Sequence, residues 1–538
     1  VKNGKLILPS GASYEVLVLP NTNRMTPELL RKTMELVKAG ATVIGNRPVG
    51  AFGLTDYPQN DQLVTKLSNE LWGDSNEKIG ERSFGNGKII WGKSAEMVLG
   101  EKGIHPDFVS NRRLSQIHRR TTDGDLYFVG NPSDQNVLAN MTFRAVGKPE
   151  LWYPESGKIV SAPIYRTEKG VTSLAIPFKP TQSVFVVFTQ QNQPNQSDPI
   201  VAISHNGQQI VDLTNSESSV NVPKIDVKIL NAKYGPPNDE KRTIDVRELL
   251  QKILDAGEND FTVARLARDF DPAHMVLKTL NVEYELNDKI VTWSGTDNNV
   301  INFTEFGIAD SLYFDIDVAN EKSGLIFCNN GQYELLTASG KKLKKNVAVS
   351  EPLEINGSWT VQFPIKGTIK ETTFDKLISW SDSPDEVIKY FSGTAVYRKT
   401  FNVPKDFIVT GQRVFLDLGQ VNEIASVKVN GQEQGVLWTL TKTVDITGVL
   451  KPEEENVLEI HVTNLWCNRL IGDANLPQDK ERQPNGTLSA FPEWLQNGQP
   501  DPYGRETFCM WNLWKPDEVL QVSGLIGTVR LVPVLFGF

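Results

Sequence analysis

The chain has 538 residues with 65 acidic against 56 basic side chains, a net charge of −9, and no long Lys/Arg run. This excludes the electrostatic footprint of a nucleic-acid binder and suits a neutral ligand. A content of 39% hydrophobic and 22% charged residues supports real cores and excludes disordered, collagen-like or disulfide-scaffold chains. At about 100 to 150 residues per domain, the length predicts three to five domains.

The first segment reads as strand, helix, strand. An apolar run from Tyr14 to Leu19 precedes a helix capped by Thr26, with Pro27 at its first position and Gly40 past its end, and a second apolar run covers Ala41 to Ile44. Helices over Asp61 to Trp72 and Ser94 to Leu99, with a strand Lys88 to Trp91 between them, extend the alternation to about residue 110. The pattern predicts a parallel α/β domain over 1–115. Short β-type runs follow, among them Leu126 to Val129, Ala139 to Phe143, Val171 to Ile176 and Ser183 to Thr189, and predict an all-β domain over 116–199. Gln190 to Asp198 reads as a linker or long loop. Over 200–347 a β-sandwich is expected with one amphipathic helix, Asp245 to Leu254, whose Val246, Leu249, Leu250 and Ile253 share a face. Residues 348–538 carry strands such as Thr394 to Val403, Arg413 to Leu418, Ala425 to Val429 and Val457 to Val462, with an Asn430-Gly431 hairpin turn. Their spacing is that of a final β-sandwich.

Chemistry-bearing motifs are sparse. Beyond Ile44, Gly45-Asn46-Arg47-Pro48 offers no Ser or Cys nucleophile and no nearby His, and no GxGxxG or GxxxxGK[ST] occurs, so the α/β domain reads as chemically silent. Five histidines lie far apart, and Asp123 and Asp125 around Gly124 read as a tight turn better than as a calcium loop. Cys328, Cys467 and Cys509 form no CxxC and are expected as buried thiols. No apolar run approaches the roughly 18 to 20 residues of a membrane span. The chain begins without Met inside strand-like sequence, which suggests a processed protein or the C-terminal piece of a longer one.

One segment departs from this pattern. Between Leu465 and Ser523, Trp466, Phe491, Trp494, Tyr503, Phe508, Trp511 and Trp514 interleave with Asn464, Asn468, Arg469, Asp473, Glu493, Arg505, Glu506 and Asp517. Flat rings match the C–H faces of sugars while amides, carboxylates and guanidinium groups bond the hydroxyls. The same rings also serve to pack a core or a long loop. A connection of roughly 55 residues between two ordinary strands favours function.

Gly393-Thr394-Ala395-Val396-Tyr397-Arg398-Lys399-Thr400-Phe401, Leu416-Asp417-Leu418-Gly419 and Val427-Lys428-Val429-Asn430-Gly431 with Gly435 and Trp438 resemble the sugar-binding jelly roll of the β-galactosidase superfamily. The run from Val462 to Asp473 and Ser523-Gly524-Leu525-Ile526-Gly527 extend the likeness. Together with the α/β start, the chain resembles the C-terminal half of glycoside hydrolase family 106, the α-L-rhamnosidases of pectin-degrading bacteria. The resemblance implies a mainly β, multi-domain fold: an amidotransferase-like (flavodoxin-like) domain, β-sandwich domains, and a galactose-binding-like jelly roll at the C-terminus. It implies a catalytic (β/α)8 barrel placed before these domains, for which no eightfold strand–helix repeat exists here.

The expected function is therefore the non-catalytic region of a glycoside hydrolase acting on plant polysaccharide, bracing the barrel and lending sugar contacts. The alternatives are a stand-alone carbohydrate-binding protein or a complete glycosidase with an unfamiliar carboxylate pair. The candidate sugar-binding residues are Trp466, Asn468, Arg469, Asp473, Arg505, Glu506, Trp511 and Trp514, with no catalytic or metal-ligating residue assigned. Expected partners are a rhamnose- or galactose-containing oligosaccharide and the barrel of the parent chain, with neither nucleic acid nor membrane. No cofactor is expected, room being left for a structural calcium, and the substrate class implies a periplasmic or secreted bacterial location.

Overall fold

The computed structural model describes residues 1–73, 77–189, 198–214, 227–237, 239–255, 260–268, 270–274, 276–286, 289–303, 312–319, 324–477, 481–484, 486–511 and 514–537. It contains two compact units, Val1–Asp107 and Phe108–Phe538. The predicted linker Gln190 to Asp198 lies, but for its last residue, outside the described residues.

In the first unit, Thr26 Oγ1 accepts from Leu29 N at 3.3 Å and opens the helix Pro27–Lys38. Gly40, at φ +116°, turns the chain into the strand Thr42–Ile44, buried throughout. Its sheet runs Leu17–Val18, Thr42–Ile44, Gly87–Trp91, Gly80–Phe84, the first three parallel and the last an antiparallel edge. Successive side chains serve opposite faces: Ile89 joins the core with Leu30, Val37, Val64 and Leu71, whereas Ile90 packs with Ile44 and Val98. Covering both faces is what the unbroken apolar runs require. The α/β character expected for this region is present. The flavodoxin-like strand order is not, because that order is 2-1-3-4-5 whereas here the parallel strands lie side by side in chain order.

The second unit is built from antiparallel sheets. Strand Phe108–Ser110, grouped with the α/β domain on sequence, pairs instead with Val137–Phe143. Its sheet and the five-stranded one containing Gly124–Gly130 and Ser183–Thr189 share a core of Tyr127, Met141, Phe143, Leu174, Phe178 and Val186. Gly124 is required at its turn, at φ +153°, since a Cβ there would run into the Phe188 carbonyl.

The stretch 200–347 differs from a single sandwich. Ile200–His205 and Gln208–Asp212 pair with Gly331–Thr337 and Lys342–Val347 around Ile203, Tyr333 and Leu335. Nested between them, a second sheet over Val227–Gly235, Thr279–Leu286 and Lys289–Thr296 packs on the helix Arg247–Asp255 around Tyr234, Leu250, Val282 and Phe303. Phe314–Ile316 and Leu325–Phe327 leave both and extend the last sheet by pairing, through Leu325–Phe327, with Arg530–Gly537. Alternating burial reveals a strand but not which sheet it will join.

The C-terminal module sets that sheet, with Arg530–Gly537 at its centre and Gln412–Asp417 beside it, against a six-stranded sheet containing Trp359–Ile365, Thr394–Asn402, Glu455–Thr463 and Ile424–Val429. Trp359, Val361, Trp380, Tyr397, Leu416, Val427, Ile460 and Leu531 fill the space between. Asn430 and Gly431 turn at φ +51° and +78°, the primed-turn signature that Asn-Gly predicts.

Asp317 joins this module to the segment before it. Its carboxylate is fully buried and accepts from Arg413 Nη1 at 2.6 Å and Nη2 at 3.1 Å. Asp317→Ala leaves a guanidinium four-fifths buried with only Asp445, 3.9 Å away, as counter-ion. The expected cost is about 3 kcal/mol, read as a lower urea midpoint; an unchanged midpoint would mean that the pair does not tie these strands together.

Candidate functional site

The aromatic excursion leaves the jelly roll after Glu455–Thr463 and returns at Gly524–Gly527. It opens with the helix Cys467–Ala474, whose inward face is formed by Asn468, Ile471, Gly472 and Asp473. A face three and four residues apart that includes an amide and a carboxylate must find hydrogen bonds inside. Asn468 Nδ2 donates to Gln521 O at 2.7 Å and its Oδ1 accepts from Gln521 N at 2.8 Å, so it staples the start of the excursion to its end. Asp473 Oδ2 accepts from Glu506 N at 3.0 Å, Thr507 N at 2.8 Å and Thr507 Oγ1 at 2.7 Å.

Arg469, one turn before Asp473, places Nη2 2.8 Å from Asp473 Oδ1 and Nη1 3.6 Å from Glu506 Oε1. Its guanidinium lies 5.9 Å from the Tyr390 ring centroid. Gly472 makes this possible, since a Cβ would come within 2.7 Å of Tyr390 Cγ and 2.8 Å of Arg469 Nη2. Arg505 donates Nη1 to Asp501 Oδ2 at 3.2 Å and Nη2 to Leu476 O at 2.9 Å and to Pro477 O. Glu506 faces Lys366 Nζ at 3.7 Å. Asp473 and Asp501 thus serve as structural acceptors for guanidinium and backbone N–H groups, and Glu506 lies between two cations.

Between the helix and the returning segment lies a hollow of about 60 Å³. Asp473, Arg505, Trp511 and Trp514, four of the eight candidates, line it with Arg482, Thr507 and Cys509. Asn468, Arg469 and Glu506 act around it as braces, and Trp466 sits at the helix start, 58% exposed, away from its walls. Arg505, Thr507, Cys509 and Trp511 all face it, the alternation of extended chain. Reading that parity would have found Thr507 and Cys509 and set Glu506 aside. Arg482, which donates to Gly486 O and Met510 O at 3.0 Å and Cys509 O at 3.1 Å, had no such signal. Ligand pockets span roughly 300–1,000 Å³, so this hollow has room for a small substituent and not for a whole ring. Trp511, in its wall, is 55% exposed, and Tyr503, whose ring lies 5.9 Å from the Arg505 guanidinium, is 45% exposed.

The three thiols are free and half-buried, short of the full burial expected, and for Cys328 the partial loss of water, with the Asp315 carboxylate nearby, pushes the thiol up to about 12. Among the described residues no group of three His, Cys, Asp or Glu side chains is placed to hold a metal ion, and no helix is long and apolar enough to cross a membrane.

Residues 1–167 match the model of the glycoside hydrolase family 106 alpha-L-rhamnosidases. Residues 374–511 match the galactose-binding domain-like region of glycosyl hydrolase family 2. Over 99% of its length the chain aligns at 31% identity with a Formosa agariphila protein named "Putative beta-glucuronidase", covering 51% of it. A "Beta-glucuronidase" of the same organism is 30% identical over 127 residues, 23% of this chain and 12% of that protein. The solved rhamnosidase from Novosphingobium sp. PP1Y superimposes over 99% of this chain and 35% of its own, at a TM-score of 0.53 and 22% identity, a likeness of fold. The chain spans about half the length of the first of these relatives.

Proposed function

We propose that this chain, related to the family 106 glycoside hydrolases through residues 1–167 and to the family 2 galactose-binding-like domains through 374–511, forms the non-catalytic region of a longer, α-L-rhamnosidase-like enzyme. The enzyme acts outside the cytoplasm on plant polysaccharide. The chain braces a catalytic barrel and lends the excursion 464–523 to its cleft. One observation carries this reading: the excursion is fixed by buried charges yet presents bare aromatic surface. A loop that served only its own domain would bury those rings.

The carboxylates support it. Glycoside hydrolysis needs two carboxyl groups flanking the scissile bond, one able to give up a proton. Asp473 and Asp501 are bonded to Arg469, Arg505 and backbone N–H groups, and Glu506 lies 3.6 Å from Arg469 and 3.7 Å from Lys366. A (β/α)8 barrel takes about 250 residues of parallel strands and helices. Among the described residues, parallel pairing of strands is confined to the sheet of residues 17–91. Trp511 and Trp514 then offer stacking faces beside the hollow, and Arg505 an N–H donor for a sugar hydroxyl.

In the full-length enzyme, Trp511→Ala is expected to lower kcat/KM for an aryl rhamnoside about tenfold, the loss of one stacking contact of roughly 1.4 kcal/mol. The melting temperature should stay unchanged, the ring being largely exposed. Unaltered turnover in the variant, or hydrolysis of aryl rhamnoside or aryl glucuronide by residues 1–538 alone, would defeat the proposal.

A further inference from the structure

The first unit contains a cavity of about 490 Å³ lined by Asn46, Arg47, Trp72, Lys78 and Trp91 among others. It lies at the carboxyl ends of the parallel strands Thr42–Ile44 and Gly87–Trp91, where open α/β sheets bind their ligands. Its volume falls within the roughly 300–1,000 Å³ of small-molecule pockets. The sequence showed no nucleophile at the turn and no phosphate loop here, and the two hydroxyls in the cavity wall, Thr65 and Ser68, donate to the Asp61 and Thr65 carbonyls. What it contains is a binder's chemistry.

Trp72 Nε1 donates to Gly45 O at 3.1 Å and Trp91 Nε1 to Glu77 O at 2.9 Å. With both N–H groups satisfied by backbone, the half-buried Trp91 offers the cavity carbon surface, while Trp72, 2% exposed, closes its wall. Gly80, opposite Trp91 in the edge pair, lets that ring lie close, because a Cβ there would sit 2.8 Å from its Cε2. The Arg47 guanidinium is held in place by Gly73 O at 3.0 Å and by Asn69 Oδ1. Among the described residues the Lys78 ammonium has no ion-pair partner. The Glu77 side chain also lines the cavity, so apolar ring surface here stands beside two cations and one carboxylate, a net positive charge that suits a ring with C–H faces and an anionic substituent.

We propose that this cavity is a second, non-catalytic saccharide site, selective for a pyranose that carries a carboxylate or sulfate group. It is independent of the role given to the excursion 464–523.

The test is titration of the 538-residue chain, with 15N-labelled tryptophan, against methyl glucuronide, glucose 6-sulfate, methyl glucoside and inorganic sulfate at low salt. Either acidic sugar is expected to shift the Trp72 and Trp91 indole signals, and the tighter of the two identifies the substituent. Methyl glucoside should bind at least about fivefold more weakly, the size of one exposed charge pair. Lys78→Glu, on an exposed side chain, should weaken acidic sugars by about the same factor at the Trp72 and Trp91 signals and leave the neutral one unchanged. Equal affinity for neutral and acidic sugars, inorganic sulfate binding as tightly as the sugars, or no shift at either indole would overturn the site. So would acidic-sugar shifts at these two indoles that Lys78→Glu leaves untouched.

Discussion

Gly524→Val is expected to unfold the C-terminal module at markedly lower urea concentration, with a loss of about 3 kcal/mol or more. Two costs combine at this position. Its φ of +97° is one that side-chain-bearing residues rarely adopt, and a Cβ would stand 2.7 Å from Trp380 Cε2. Trp380 cannot yield. It is fully buried, its Nε1 donates to Tyr397 Oη at 2.6 Å, and the same Oη accepts from Leu525 N at 3.2 Å. The backbone of Trp380 donates to Ser523 O at 2.9 Å, while Ser523 N donates to Ser379 Oγ at 3.0 Å. The Ser523-Gly524-Leu525 motif is thus the point where the returning chain passes over a buried indole. Gly431→Ala is the matched comparison: φ is +78° there but no atom lies within 4 Å. It should cost only about 1 kcal/mol. Equal midpoints for the two variants would show that backbone strain alone decides and that the indole contact is unimportant.

Asp473→Ala should release the excursion while leaving the sandwich folded. The substitution removes three acceptor contacts to Glu506 and Thr507. It also strands the Arg469 guanidinium, 14% exposed, with Glu506 3.6 Å away as its remaining carboxylate. Breaking a buried pair from one side costs about 3 kcal/mol or more. That energy is local, so the expected readout is trypsin cleavage at Arg482 and Arg505 at a greatly increased rate, with the far-UV signal of the sheets retained. Asp473→Asn should fall between, keeping acceptors for the Thr507 N–H but losing the charge. If cleavage of the alanine variant is as slow as that of the parent, Asp473 does not anchor the loop and the rigid presentation of Trp511 loses its basis.

These variants separate two kinds of residue that composition could not. Asn468, Arg469, Asp473 and Glu506 stood out because polar groups among aromatics suggest a sugar site. The helix Cys467–Ala474 turns Asn468 and Asp473 inward, and burial converts both into braces. Trp511 and Trp514 carry the same composition signal and do line the hollow. Choosing between them requires knowing which parity of residues 505–511 faces inward, and that depends on the pairing of Thr487 with Trp511.

Local chemistry wrote much of the architecture into the sequence. Thr26 and Ser94 cap their helices, unbroken apolar runs mark strands covered on both faces, and Asn430-Gly431 closes its hairpin, because each signal acts over a few residues. Tertiary structure alone decided that Val227–Gly235, Thr279–Leu286 and Lys289–Thr296 form a sheet of their own, inserted in the chain between strands of another, and that Leu325–Phe327 pairs with Arg530–Gly537 some 200 positions later. It alone gathered Arg47, Lys78 and two indoles around one cavity. Such choices rest on which apolar faces can be buried together and which charges can be neutralised once they are, and those energies exist only between segments that the fold has already brought into contact.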